Sequence, residues 1–384
     1  MIYLDNHSTT PVDPRVVSAM LPYLTEQFGN PSSRTHAYGW EAEDAVEGAR
    51  TLVADLIGSL PSEVVFTSGG TESNNIALKG VALANREKGS HIITTAIEHE
   101  SVLRSCAALQ RQGYLITYIP INSDGTVEPE EFRRAIRKET VLASVMLVNH
   151  EIGTINPVLQ IGRLCEEFGI IFHVDAVQAI GLIPVRVDEI ICDLLSLSAH
   201  KVYGPKGVGA LFVRRRNKPV DLEPILHGGG QENGIRPGTL AVPQIVGFGR
   251  AARIAREEGP QEAIQVAGLR DHMLIRLQNE VSGIVVNGSL ENRIAGNLNV
   301  SLPGFDGDSL IRSLAAQGVA VSSGAACSSG TMEPSHVLIA LGVDPRASSA
   351  TIRFGIGRFN TKQDVDTAVD SLKESINSGA RTQA

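Results

Sequence analysis

"IIFHVDAVQ", residues 170–178, is an apolar run that ends in a carboxylate. Its core lacks the strict apolar–polar alternation of a half-exposed strand, so both faces of this strand are expected to be covered. Similar runs surround it: VVFTSG (64–69), HIITTA (91–96), YLITYIP (114–120), VLASVMLV (141–148), DLLSLSAH (193–200) and GALFVRR (209–215). Helices are expected from about Thr71 and about Glu98, between the first strands. Continuous apolar runs joined by helices indicate an α/β protein whose mostly parallel sheet is clad on both faces. In such sheets the ligand binds beyond the carboxyl ends of the strands. The polar residues of these runs collect at those ends.

Further along, VPQIVGFGRAARIAREE (242–258) reads as a long helix, and Glu257–Pro260 as a boundary. GIVVNG (283–288) and NLNVSLP (297–303) then open a second α/β pattern. The expected division is a large domain over 15–258 and a smaller α/β domain over 259–384. Residues 1–14 are expected to pack with the smaller one.

Composition limits the function. The 384 residues, 42% hydrophobic, can bury a large core, and the net charge of −8 argues against nucleic-acid or anionic-membrane partners. Arg214-Arg215-Arg216 reads as a solvated strand end. No apolar run approaches the roughly 20 residues of a membrane span, and MIYLDNHSTT lacks the layout of a signal peptide. A cytoplasmic protein is expected. The four cysteines show no metal-knuckle spacing, so neither a metal site nor a disulfide framework is expected. Cys106, Cys165 and Cys192 read as core. Cys327 differs, lying in the Gly/Ser/Ala tract SSGAACSSG (322–330), where nothing in sequence would pack around a thiol.

Three motifs have complementary chemistry. In TSGGTESNN (67–75), a strand, Gly69-Gly70 and a helix opening at Thr71 make a phosphate cradle of backbone N–H groups and helix dipole. In HVDAVQ, Asp175 is a carboxylate just past a buried strand core, where it needs a positive partner. A pyridinium nitrogen would be one. In SAHKVYGPKG (198–207), Lys201 follows a strand end and can form a Schiff base. A phosphate cup, an acid for a ring nitrogen and a Schiff-base lysine together describe a pyridoxal 5′-phosphate site.

With that order of motifs the chain resembles the fold-type I, class V aminotransferase superfamily. Within it, YLDNHSTTPVD, FGNPSSRTHAYG, EHESV, HGGGQENGIRPGT, SSGAACSSGTMEPSHVL and TIRFGIGRF resemble cysteine desulfurases of the NifS/IscS type. The resemblance covers roughly residues 2–360. It implies that Lys201 carries the cofactor, that Asp175 pairs with its ring nitrogen and that Gln178 reaches its ring hydroxyl. Gly70, Thr71, Ser198 and His200 would bind the phosphate, with Thr239 doing so from the partner subunit of a homodimer. His99 would stack on the ring and relay protons. Arg353 would clamp the substrate carboxylate, and Asn30 is a further substrate-site candidate. Freed Lys201 would remove the Cα proton of L-cysteine. The Cys327 thiolate would then take the sulfur as a persulfide, leaving L-alanine and later passing the sulfur to a protein acceptor in iron–sulfur cluster assembly or thio-modification. Cys327 could also ligate an iron–sulfur cluster transiently. Selenocysteine lyase, another carbon–sulfur lyase or aminotransferase, and a catalytically idle docking subunit are the alternative readings.

One stretch departs from the family pattern. "NHEIG", 149–153, has His150 where a second Asn is usual. His150 either faces the cofactor ring or turns away and leaves the ring hydroxyl to Asn149 or Gln178. From Thr239 comes a first test: mass measurement in solution is expected to give a dimer. A monomer with full cofactor occupancy and activity would refute the shared site.

Overall fold

The computed structural model describes residues 1–323, 335–344 and 350–378, so Cys327 lies outside the described residues. The chain opens with the short strand β1 (Ile2–Tyr3). Seven strands then build the central sheet: β2 (Val64–Thr67), β3 (His91–Thr95), β4 (Leu115–Ile119), β5 (Thr140–Met146), β6 (Ile171–Asp175), β7 (Leu194–Ser198) and β8 (Gly209–Val213). Their order is β2-β8-β7-β6-β5-β3-β4. The pairs from β4 through β7 are parallel, whereas β8 runs antiparallel to both β7 and β2. The carboxyl ends of β2, β3, β5, β6 and β7 therefore lie on one edge.

The sheet is covered on both sides because its central strands are apolar on both. In β5, Ala143 and Val145 join a core with the helices Ala37–Ile57 and Val242–Glu280, through Val46, Val53, Phe248 and Ala252. Leu142, on the alternate face, joins Ile76, Leu78 and Val81 of the helix Gly70–Ala84 and Val102 of the helix Glu100–Arg111. Cys106, Cys165 and Cys192 are buried, as the sequence reading expected.

A second core lies among the antiparallel strands β9 (Val285–Val286), β10 (Asn297–Ser301) and β12 (Thr351–Gly355), with β11 (Val319–Ala320) pairing in parallel with β1. Beyond β1, Asp5 bridges Gly355, and Asp13 holds Arg358 at 2.9 Å.

The helix expected to end at 258 runs unbroken from Val242 to Glu280, through Pro260. A proline inside a helix costs about 3 kcal/mol. Packing at both ends offsets that cost: Ile245, Phe248 and Ala252 lie in the first core, and Val266, Met273 and Leu277 in the second. Gly259 lets the helix pass close to the Gly181 carbonyl, which an added Cβ would approach to 2.8 Å.

The turn after β2 is equally close to β8. A Cβ on Gly209 would sit 2.5 Å from the Leu197 carbonyl oxygen and 2.7 Å from Gly69 Cα. Gly209→Ala is expected to lower stability by about 1–3 kcal/mol through overpacking. The denaturant midpoint should fall while the slope stays constant; an unchanged midpoint would show that the two segments yield without strain.

Candidate active site

The strand ends open into a cavity of about 240 Å³. Gly70, Thr71, His99, His150, Asp175, Gln178, Ser198, His200, Lys201 and Arg353 all line it. Asn30 and Thr239 do not: both are exposed in the single chain, and Asn30 Oδ1 accepts from Ser32 N at 3.0 Å.

At the start of the helix Gly70–Ala84, the N-cap Gly69 has φ 150°, a conformation that favours glycine, and offers no side-chain cap. The first-turn N–H groups are therefore left for a ligand. Gly70 is needed too, because a Cβ there would meet Val177 Cγ2 at 2.6 Å. Ser198, His200 and Lys206 line the adjoining hollow of about 250 Å³ with these glycines and Thr71. Burial, with Lys201 and Lys206 nearby, pulls the His200 pKa down to about 4. It is neutral at neutral pH.

Asp175, 5% exposed, ends β6. Its Oδ2 accepts from Asn74 Nδ2 at 2.7 Å and its Oδ1 from Val177 N at 3.0 Å. Asn74 also donates to Ser101 Oγ at 2.8 Å. Asn74 lies within TSGGTESNN, and its helical spacing from Gly70 is the only signal of this role in the sequence.

His99 caps the helix Glu100–Arg111, its Nδ1 accepting from Ser101 N at 3.1 Å. That bond puts the proton of the neutral ring on Nε2. Burial lowers the His99 pKa, with Lys201 adding to the shift and Asp175 opposing it. The His150 ring stands edge-on to His99 with centroids 5.3 Å apart. Of the two orientations open to His150, it takes the one facing the cavity. Asn149 is otherwise engaged, donating to Ile97 O at 3.0 Å and accepting from Glu151 N and Ile152 N at 2.9 and 3.0 Å. Burial first, then the neighbouring His99, His336, Arg353 and Lys201, hold the His150 pKa well below the usual imidazole value.

Lys201 Nζ donates to the carbonyls of His7 and Ser8, the latter at 2.9 Å. Gln178 Nε2 donates to the same His7 carbonyl at 2.9 Å. His7 and Ser8 line the cavity and were not singled out in sequence, although they lie in the quoted YLDNHSTTPVD. Arg353 reaches in from β12, donating from Nη1 to His150 O at 2.8 Å and from Nη2 to Asp5 Oδ1 at 3.0 Å and Ser8 Oγ at 2.7 Å.

Of the eight buried side-chain polar atoms with no partner among the described residues, four cluster here: His7 Nε2, Asn74 Oδ1, His150 Nδ1 and Arg353 Nε. All four belong to residues lining this cavity. Each such atom costs about 1–3 kcal/mol if left unsatisfied, so their convergence marks a site shaped for a polar ligand. Among the described residues, no cluster of His, Cys, Asp or Glu could hold a metal ion, and no helix is long and apolar enough to cross a membrane.

The fold is shared with known proteins. The chain belongs to the class-V aminotransferase family, which it matches over residues 2–368. Within that family it is one of the cysteine desulfurases. The mitochondrial cysteine desulfurase of Arabidopsis thaliana is 52% identical over 369 residues, 96% of this chain and 81% of the relative. The structure of a NifS-like protein matches with TM-score 0.92 at 39% identity, covering 98% of this chain and 100% of the other. That of SspA in complex with cysteine matches with TM-score 0.83 at 37% identity, covering 94% and 100%.

Beneath the site Glu98 is fully buried, its Oε1 accepting from Thr95 Oγ1 at 2.7 Å and Met146 N at 2.9 Å. Burial, against those two hydrogen bonds and with Asp175 adding to it, pushes its pKa from 4.5 to about 8. Between these values the folded protein holds a proton that the unfolded chain has lost, so stability falls as pH rises through the window and levels off above it. Thermal melts of Glu98→Gln and wild type should diverge from pH 4.5 to about 8, the wild type losing more. Parallel curves would place the Glu98 pKa near its ordinary value.

Proposed function

We propose that this chain is a pyridoxal 5′-phosphate-dependent cysteine desulfurase that moves the sulfur of L-cysteine onto Cys327 and releases L-alanine. The single observation that carries the reading is the convergence of Lys201, Asp175 and an uncapped helix start on one cavity with partnerless polar atoms. The donor set fits the cofactor: N–H groups and hydroxyls for a phosphate, a buried carboxylate for a ring nitrogen, and an amine for an aldehyde carbon. When bound, the cofactor supplies an electron-poor ring that stabilises negative charge at the substrate Cα.

This chain's residues do the rest. Gly70, Thr71, Ser198 and His200 hold the phosphate, joined by Thr239 from a second copy of the chain. Asp175, oriented by Asn74, keeps a proton on the ring nitrogen. Gln178 and His150 serve the ring hydroxyl. Arg353 binds the substrate carboxylate, a task suited to its planar fork. Lys201, set between the His7 and Ser8 carbonyls, takes the Cα proton at Nζ. His99 covers the ring and passes protons through Nε2. The Cys327 thiolate attacks the substrate sulfur; an S–S bond forms, the Cβ–S bond breaks with its electrons left on carbon, and a proton at Cβ together with the return of one to Cα completes alanine. A protein acceptor then collects the persulfide sulfur. Unpaired cysteines at 106, 165 and 192 suit a reducing compartment such as the cytoplasm.

Variants at the two reactive residues should separate the steps. Cys327→Ala is expected to keep the cofactor and bind L-cysteine while persulfide and alanine production drop by at least about a hundredfold. Lys201→Ala should lose the absorbance of lysine-bound cofactor. Near wild-type alanine formation by Cys327→Ala without added thiol would remove Cys327 from the reaction.

A further inference from the structure

A guanidinium can hold both oxygens of a carboxylate along two edges, Nε with Nη2 or Nη1 with Nη2; its own Cδ blocks the third. Nη2 belongs to both usable edges. In Arg353 that nitrogen already donates to Asp5 Oδ1 at 3.0 Å and to Ser8 Oγ at 2.7 Å. Ser8 Oγ in turn donates to the same Asp5 oxygen at 2.8 Å. One Nη1 donor goes to the His150 carbonyl, and the buried Nε has no partner. A carboxylate that binds Arg353 with both oxygens must therefore use Nη2, the nitrogen that Asp5 and Ser8 already engage.

We propose that Asp5 is an internal competitor for the carboxylate site, holding Arg353 before the amino acid binds and lowering the affinity for the α-carboxylates of substrate and product. The proposal deepens the reading of Arg353 above and rests on it. A guanidinium whose side chain is 3% exposed needs a counter-ion, and Asp5 is the carboxylate that pairs with it among the described residues. Of the pair, Asp5 has the greater access to solvent, with a side chain 19% exposed. It is the partner that can be displaced and hydrated. Its position is built into the backbone, because Asp5 bridges Gly355 at the end of the strand that carries Arg353. An arriving carboxylate meets a neutralised pair and a like charge instead of an unopposed cation. Affinity shared by substrate and product does not speed the chemical step, so attenuating it favours release of alanine.

Calorimetric titration of the holoenzyme with two probes tests this. L-Alanine carries the carboxylate; cysteamine has the amine and thiol but no carboxylate. Asp5→Asn is expected to bind L-alanine about tenfold more tightly, with a matching fall in KM for L-cysteine and cysteamine affinity unchanged. Asp5→Glu, which keeps the charge, should stay within about threefold of wild type. The proposal is overturned if Asp5→Asn binds L-alanine no more tightly than wild type, or if both probes shift together, as a merely structural change would make them. Arg353→Ala separates the two levels: L-alanine binding to it as tightly as to wild type would place the carboxylate site elsewhere and remove the premise.

Discussion

A carboxylate at the end of a strand buried on both faces is the constraint around which this protein is arranged. Asp175 cannot sit there charged without partners, since removing an ion from water costs several kcal/mol even after relaxation. Asn74 and the Val177 amide supply hydrogen bonds to it. Both depend on the turn at Gly69-Gly70, because Gly70 passes under Val177 and starts the helix that carries Asn74. Thus the same close turn that leaves N–H groups for an anion also orients the acid. Gly209 permits that turn by letting β8 lie against it.

The N-terminal segment is the second organiser. Asp5 and Ser8 hold Arg353, the carbonyls of His7 and Ser8 receive Lys201, and Thr10 N donates to His200 O at 3.0 Å. Gln178 also leans on the His7 carbonyl. Residues far apart in sequence thus take their positions from one short stretch that is itself paired with β11 and β12. Fixing Lys201 and Arg353 from one backbone segment sets their relative geometry.

Burial shapes the protonation states. His7 is held down to about 3 and His200 to about 4, burial being the first cause in each with Lys201 among the neighbours. These imidazoles are neutral at working pH and act as hydrogen-bonding groups. Glu98, pushed the other way, adds no second negative charge beside Asp175 near neutrality. Among the residues lining the cavity, Arg353 is left as the cation for an anionic partner.

By itself the sequence determined the α/β architecture, the strand cores and the edge where function collects, because apolar periodicity and glycine turns are local properties. It also determined most of the cavity lining: Lys201, Asp175, His99 and Gly70 sit in motifs whose neighbours dictate their local structure. What it left open follows from contacts across long separations. The helix through Pro260 persists because two cores hold its ends, which no local propensity reveals. His150 faces the cavity because Asn149 is tied to Ile97 and the 151–152 amides. Asn74, His7 and Ser8 stood inside recognised motifs, yet their parts became visible only against Asp175, Lys201 and Arg353, up to 345 positions away. A side chain's role is set by the atoms it meets, and tertiary packing chooses those atoms.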